Sequence, residues 1–342
     1  MAETERQQVR VAAVDMGSNT TRCIVADVTR GADGGLTHRA LATRSTITRL
    51  AEGVDARGIL LPLPITRVRN ALIEYRALAR ELGAVFVLAT ATSAVRDADN
   101  GEAFLGEVEH GFGFRATLLT GSEEAEATWA GVTSDASLAA RAREGRGMLV
   151  DIGGGSTEVL LSEGGTVVDR HSFQLGSVRL TERFLGTAEH QGPIDVAAMT
   201  AARAQVRAEL AARFPEPATV DLPLAVAGTA TTVSAILLDR PTYESELVHG
   251  FRFTATQLDE VVGRLAALDL DVRREVNGLE PQRAAVIVGG LLVLQEVLTH
   301  FGLESIETSE RDILDGIALM AGRIALDEGI TELPEPFGRT VC

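Results

Sequence analysis

Asp15-Met-Gly17-Ser18-Asn19-Thr20-Thr21-Arg22 and Asp151-Ile-Gly153-Gly154-Gly155-Ser156-Thr157-Glu158 align without a gap. Each opens on an acid that ends an apolar run. Each has glycine two residues on, hydroxyls five and six residues on, and an immediate return into a second apolar run. The runs 9–15 and 22–28 flank the first stretch, and 148–151 and 158–161 flank the second. Each stretch therefore reads as strand, tight turn, strand. Its recurrence predicts two similarly folded domains.

The rest of the chain fits an α/β plan. After a flexible turn at 31–35, further strand is expected over 36–50. Val68, Leu72, Tyr75, Leu78 and Leu82 recur at helical spacing over 65–82, with Gly83 as a stop. A short strand (84–89), a helix from about residue 98, a strand (116–119) and a helix (120–130) follow. A polar, alanine-rich stretch, 134–147, then separates the halves. Strands are expected again at 148–151, 158–161, 167–174 and 222–227, and helices at 199–214 and 231–238. Beyond these the pattern is mostly helical, broken at Pro241 and Pro281. Strands alternating with helices give α/β layers. A length of 342 residues suits two domains better than one core.

The paired turns carry a chemistry. Glycine lets backbone approach a ligand closely, successive N–H groups form an anion-binding nest, and hydroxyls add donors for phosphate oxygens. The strand-end aspartates would repel phosphate, so they suit a metal ion or a water. Glycine-rich hairpins without a ligand are the alternative; the matched pair, one per half, favours the phosphate reading. The last position differs, Arg22 against Glu158. If the loops face each other across a cleft, a cation and a carboxylate flank one bound group, an arrangement suited to hydrolysis.

Composition excludes several alternatives. Acids number 48 and bases 32, for a net charge of −16, and every base is arginine. Without lysine there is no Schiff base, no pyridoxal-phosphate anchor, no P-loop lysine and no kinase strand lysine. Phosphate contacts must come from arginine, backbone N–H, hydroxyls or a metal. The acidity argues against nucleic acid as a partner. No apolar run reaches the roughly 18 residues of a membrane span, so no membrane partner is expected. The polar start shows no signal-peptide pattern. Two cysteines, Cys23 and Cys342, exclude a disulfide framework and make the cytoplasm the expected location.

Further segments join the two turns: Ala89-Thr-Ala-Thr-Ser-Ala-Val-Arg-Asp-Ala-Asp-Asn100, Thr120-Gly-Ser-Glu-Glu-Ala125, Leu175-Gly-Ser-Val-Arg-Leu180, Ala227-Gly-Thr-Ala230 and Val248-His-Gly250. In this order they resemble the exopolyphosphatase / guanosine pentaphosphate phosphohydrolase family of the actin–sugar kinase–chaperone superfamily. The short form resembles its two-domain actinobacterial members. The resemblance implies two actin-like, ribonuclease H-type domains with an active-site cleft between them, over 1–132 and 133–316, with 317–342 returning to the first. It implies release of terminal orthophosphate from polyphosphate with Mg²⁺ or Mn²⁺, and a homodimer. It makes Glu124 the general base, assisted by Glu158, with Asp151, Glu158 and Asp15 toward a metal. Gly17, Ser18, Asn19, Thr20, Arg22 and Arg96 would grip phosphates, as would Gly153, Gly154, Gly155, Ser156 and Thr157. Gly228 and Thr229 resemble the superfamily's third phosphate loop.

Each assignment has a plainer counterpart. Thr120 and Glu123 form a capping-box pattern, and acids in a first helical turn offset the helix dipole. Spacing alone would assign Glu124 that role too; the family motif makes it the base and leaves Glu123 the cap. Arg96 and Arg22 are each open to phosphate contact or to an ion pair with a nearby acid. Cys23 reads as a small core residue, and His249 as structural. The family pattern departs at Ala227, where a glycine is common, and at Leu314, where an arginine is common. No His-Asp dipeptide occurs, so the additional phosphohydrolase-like domain of longer members is not expected and short polyphosphate is the expected substrate. The competing readings are a guanosine pentaphosphate 5′-phosphohydrolase, an actin-like ATPase or kinase, and a non-catalytic sensor of polyphosphate or alarmone.

Overall fold

A computed structural model describes residues 7–32, 34–186, 191–240 and 242–336. The chain divides into two compact units. Unit 1 is residues 1–135 together with 312–342, and unit 2 is 136–311. The second unit thus ends before residue 316. The reason is local: Asp312 caps the helix Ile313–Glu328 through a capping box with Asp315, so the whole helix starts and stays in unit 1. The expected break at Pro241 and the end of the expected return segment, 337–342, lie outside the described residues.

Unit 1 is built on five strands: β1 Gln7–Met16, β2 Thr20–Arg30, β3 Leu36–Ile47, β4 Phe86–Ala91 and β5 Arg115–Leu118. Their order across the sheet is β3-β2-β1-β4-β5. The pairs β1–β2 and β2–β3 are antiparallel, and β1–β4 and β4–β5 are parallel. Unit 2 has β6 Arg146–Ile152, β7 Thr157–Glu163, β8 Thr166–Phe173, β9 Leu222–Val226, β10 Arg252–Thr254 and β11 Ser305–Thr308. Its order is β10-β11-β9-β6-β7-β8. Reading β6, β7, β8, β9 and β11 in place of β1 to β5 reproduces the first sheet, with β10 added at the edge. This is the mixed sheet of an actin-like, ribonuclease H-type domain, present twice.

Several boundaries differ from the pattern-based expectation. Short helices occur at Ser93–Arg96 and Ala136–Ala142. The expected helix from about residue 98 is Gly101–Phe112. The helix expected at 231–238 is Ala227–Leu238, so Gly228 and Thr229 lie in its first turn and not in a loop. Strands β10 and β11, of 3 and 4 residues, interrupt the helical C-terminal stretch. Neither is long enough to show an alternation.

The helix Ile313–Glu328 lies on β1 and β2 and against the helix Gly121–Val132. The two helices meet backbone to backbone. A Cβ on Gly131 would stand 1.8 Å from the Asp312 carbonyl oxygen, and one on Gly316 would stand 1.9 Å from that of Ala127. In unit 2, Arg273 is 1% exposed. Its guanidinium donates to the carbonyls of Leu265, Ala284 and Leu268 at 2.8, 3.1 and 2.9 Å. Five donors in a fixed fork suit this capping of chain ends inside a core.

Two substitutions test this packing. Gly131→Ala should lower unfolding stability by about 3 kcal/mol or more, since neither backbone can yield. Ala227 begins its helix with φ of 61°, a left-handed conformation for a non-glycine residue. Ala227→Gly should therefore raise stability by about 1 kcal/mol. Urea or thermal unfolding measures both; an Ala227→Gly chain that is less stable than the parent contradicts the strain argument.

Candidate active site

In unit 1 the hairpin β1–β2 sets the geometry. Its register places Asp15 opposite Arg22 and Met16 opposite Thr21, and the Gly17 N–H closes the turn on the Thr20 carbonyl at 3.1 Å. A Cβ on Gly17 would lie 2.9 Å from that same carbonyl oxygen, so the closure requires glycine. The carbonyls of the turn are tied to one following segment. Ser18 O accepts from Ala51 N at 2.8 Å, and Asn19 O accepts from Thr48 N and Arg49 N at 3.0 and 2.9 Å. Ser18 Oγ lies 2.8 Å from Ser93 Oγ.

Asp15 is buried at the end of β1. Arg22 Nη2 donates to its Oδ2 at 3.0 Å, and Arg22 Nη1 donates to Asp312 Oδ2. Of the two readings open for Arg22, the structure thus displays the ion pair. Burial pushes the Asp15 carboxyl above the usual range; Arg22 opposes this and Asp312 adds to it. Asp15 Oδ1 is buried without a hydrogen-bond partner.

Glu124 is buried in the first turn of the helix Gly121–Val132. The preceding Thr120 and Glu123 form the complete capping box, and Thr120 holds the Glu123 carboxyl below its usual range. Glu123 is therefore the cap that its position suggests. Arg96, at the end of the short helix after β4, donates through Nη1 to Leu119 O at 2.8 Å and to Glu124 Oε2 at 3.4 Å. Its Nη2 is buried with no partner. A buried guanidinium nitrogen left over is a donor awaiting an acceptor.

Unit 2 repeats the hairpin. Asp151 stands opposite Glu158 and Ile152 opposite Thr157, and Gly153 N closes on Ser156 O at 3.0 Å. Where unit 1 pairs acid with arginine, unit 2 sets two buried carboxylates side by side. Like charges directly opposed across strands repel. Glu158 Oε1 accepts from Ser172 Oγ on β8 at 2.6 Å.

The glycine carbonyls of this turn are again tied down, here by the short helix Ser177–Leu180. Gly153 O accepts from Ser177 N at 2.9 Å, and Gly154 O from Val178 N at 2.9 Å and Arg179 N at 3.1 Å. Gly155 O accepts from the buried Arg179 Nε at 2.7 Å. Thr157 Oγ1 donates to Leu175 O at 2.7 Å. A Cβ on Gly176 would stand 2.4 Å from Gly154 O. Thr229 Oγ1 donates to Ile152 O at 3.4 Å. A Cβ on Gly228 would stand 2.0 Å from Arg283 Nη1, so a guanidinium already fills the space beside it. Sequence reading assigned no role to Arg179, Ser172 or Arg283. The motif around Arg179 was visible, but its partner is a backbone carbonyl, which leaves no mark in sequence.

No group of three or more His, Cys, Asp and Glu among the described residues makes a preformed metal cage. The donors present fit a different mode. Mg²⁺ keeps several waters and binds through one or two carboxylates together with phosphate oxygens. Asp15 Oδ1 in unit 1 supplies one such carboxylate oxygen, and the Asp151/Glu158 pair in unit 2 supplies hard anionic ligands.

The model of the Ppx/GppA phosphatase family matches residues 24–321. Exopolyphosphatase 2 of Mycobacterium tuberculosis is 37% identical, over 91% of this chain and 98% of its own. Exopolyphosphatase 1 of the same organism is 28% identical, over 91% of this chain and 88% of its own. The crystal structure of the Aquifex aeolicus family member is similar with a TM-score of 0.75 at 28% identity, covering 94% of this chain and 99% of that one. An exopolyphosphatase-like protein reaches a TM-score of 0.82 at 28% identity, covering 93% and 99%. The likeness covers 91% or more of the chain in sequence and in fold, and this chain belongs to the Ppx/GppA phosphatase family.

Proposed function

We propose that this chain is an exopolyphosphatase, which releases terminal orthophosphate from inorganic polyphosphate, short chains above all. The observation that carries the reading is the Arg96–Glu124 pair: a buried carboxylate beside a guanidinium with one buried nitrogen unspent. Glu124 takes a proton from water as the water oxygen bonds to the terminal phosphorus. The bridging P–O bond breaks, and the shortened chain leaves with that oxygen. Arg96 Nη2 donates to an oxygen of the bound chain. Proton transfer to a placed carboxylate and donors aimed at developing charge are the levers such a reaction needs.

The glycine turns serve this reading with backbone N–H groups of residues 18–20 and 154–157, since those of Gly17 and Gly153 are spent in closing the turns. Their carbonyls are already committed to neighbouring donors, which supports a role for the N–H side toward anions. Thr229 and Gly228 add to the second turn. Asp15, Asp151 and Glu158 are the residues that would hold Mg²⁺ or Mn²⁺. A bound divalent cation would neutralise phosphate charge and polarise the phosphoryl oxygens. Glu158 is kept in place for this by Ser172. A homodimer and a cytoplasmic setting belong to the same reading. No helix among the described residues is long and apolar enough to cross a membrane.

Parallel assays of short polyphosphate, long polyphosphate, guanosine pentaphosphate and ATP, with Mg²⁺ and with chelator, test the proposal. Metal-dependent orthophosphate release should be fastest from short polyphosphate. Release from guanosine pentaphosphate alone would reassign the substrate, and binding without release from any would make the chain a sensor. Glu124→Gln should lower kcat by about 10²- to 10⁴-fold with an unchanged melting temperature. Near-parental turnover by that variant would sink the assignment of the base.

A further inference from the structure

The first turn of the helix Ile313–Glu328 is bound by its own carboxylates to two neighbouring strands and, through one of them, to a third. Asp312 caps the helix, with Oδ1 accepting from Leu314 N at 2.9 Å, and its own N–H donates to Asp315 Oδ2 at 3.1 Å. Asp315 Oδ1 meets His38 Nε2 on β3 at 2.7 Å. The other Asp312 oxygen accepts from Arg22 on β2, which also donates to Asp15 on β1. One guanidinium thus lies between two carboxylates, with its side chain 21% exposed.

Two consequences follow from charge and geometry. Two anions against one cation leave the group net negative, so Arg22 offers little attraction to a phosphate oxygen. Asp15 has one oxygen committed to Arg22, while Oδ1 stays buried and without a partner. Leaving a buried carboxylate oxygen unmet is costly, and that cost is relieved when a cation or a water reaches it.

On the functional reading above, we infer that Arg22 and Asp312 are positioning residues for Asp15. They hold its carboxyl so that Oδ1 remains available to a cation or water accompanying the phosphate chain. Arg22 does not itself grip phosphate. Asp312 therefore has two separable tasks, helix cap and clamp. The cap needs only a side-chain oxygen, and asparagine serves it as well as aspartate. The clamp needs the negative charge that a guanidinium pairs with best.

Asp312→Ala and Asp312→Asn separate the two tasks. The alanine variant loses both, and its Tm should fall by a few degrees. The asparagine variant should recover the part of the Tm that the cap supplies. Its kcat for tripolyphosphate should nevertheless remain about tenfold or more below the parent, with KM within about threefold. Recovery of kcat together with Tm would reduce Asp312 to a cap and overturn the inference. Arg22→Gln supplies a second arm. Calorimetry of tripolyphosphate in the presence of EDTA should give a Kd within about threefold of the parent. A loss of tenfold or more in that metal-free binding would make Arg22 a phosphate ligand and overturn the clamp. A parent chain that releases no orthophosphate refutes the functional reading, and the clamp with it; loss confined to the variants is a different result.

Discussion

Unit 1 depends on the pairing of Asp15 with Arg22 across the first hairpin. An ionised carboxylate at the end of a buried strand is tolerable only with a charge beside it. The two-residue turn makes that pairing automatic, because closing Gly17 onto Thr20 fixes the register that sets residue 15 against residue 22. From there Arg22 reaches Asp312 and fastens the last long helix to the sheet. Unit 2 repeats the backbone and inverts the electrostatics, placing Glu158 where Arg22 stands. One turn geometry thus yields an acid paired with arginine in one unit and a pair of acids in the other.

The second constraint is closeness. Carbonyls of both turns are held by N–H groups of the segment that follows, Thr48–Ala51 in one unit and Ser177–Arg179 in the other. Gly17 and Gly176 allow backbone to lie within hydrogen-bonding reach of backbone. A polyanion site built this way draws on main-chain dipoles and few cations. That suits a chain with a net charge of −16 and no lysine.

These constraints account for what could be read from the sequence. The two hairpins were legible because their acids, glycines and hydroxyls recur at one spacing. The sheets follow from them, since each hairpin contributes the strands from which the parallel strands extend. Glu123 as a cap was legible because capping is a local matter. The partner of Arg22 was not, because Asp312 lies 290 residues away and nothing near Arg22 singles it out. The first turn of the helix Ala227–Leu238 was missed because glycine and threonine together suggest a loop, yet the strand before it delivers Ala227 directly into a helix. Strands β10 and β11 escaped because 3 and 4 residues show no period. Roles met by backbone carbonyls, such as that of Arg179, have no sequence signature at all.

The division of the chain has a consequence for how the protein is made. Unit 2 occupies 136–311, and the helix that covers the unit 1 sheet comes after it. During synthesis the ribosome delivers every residue of unit 2 before it delivers that helix. Unit 1 must therefore wait with part of its apolar sheet surface uncovered until that helix emerges. Closing Arg22 onto Asp312 is correspondingly a late event. Its entropic cost grows only slowly with the length of chain between them, and is smaller still when most of that chain is already folded.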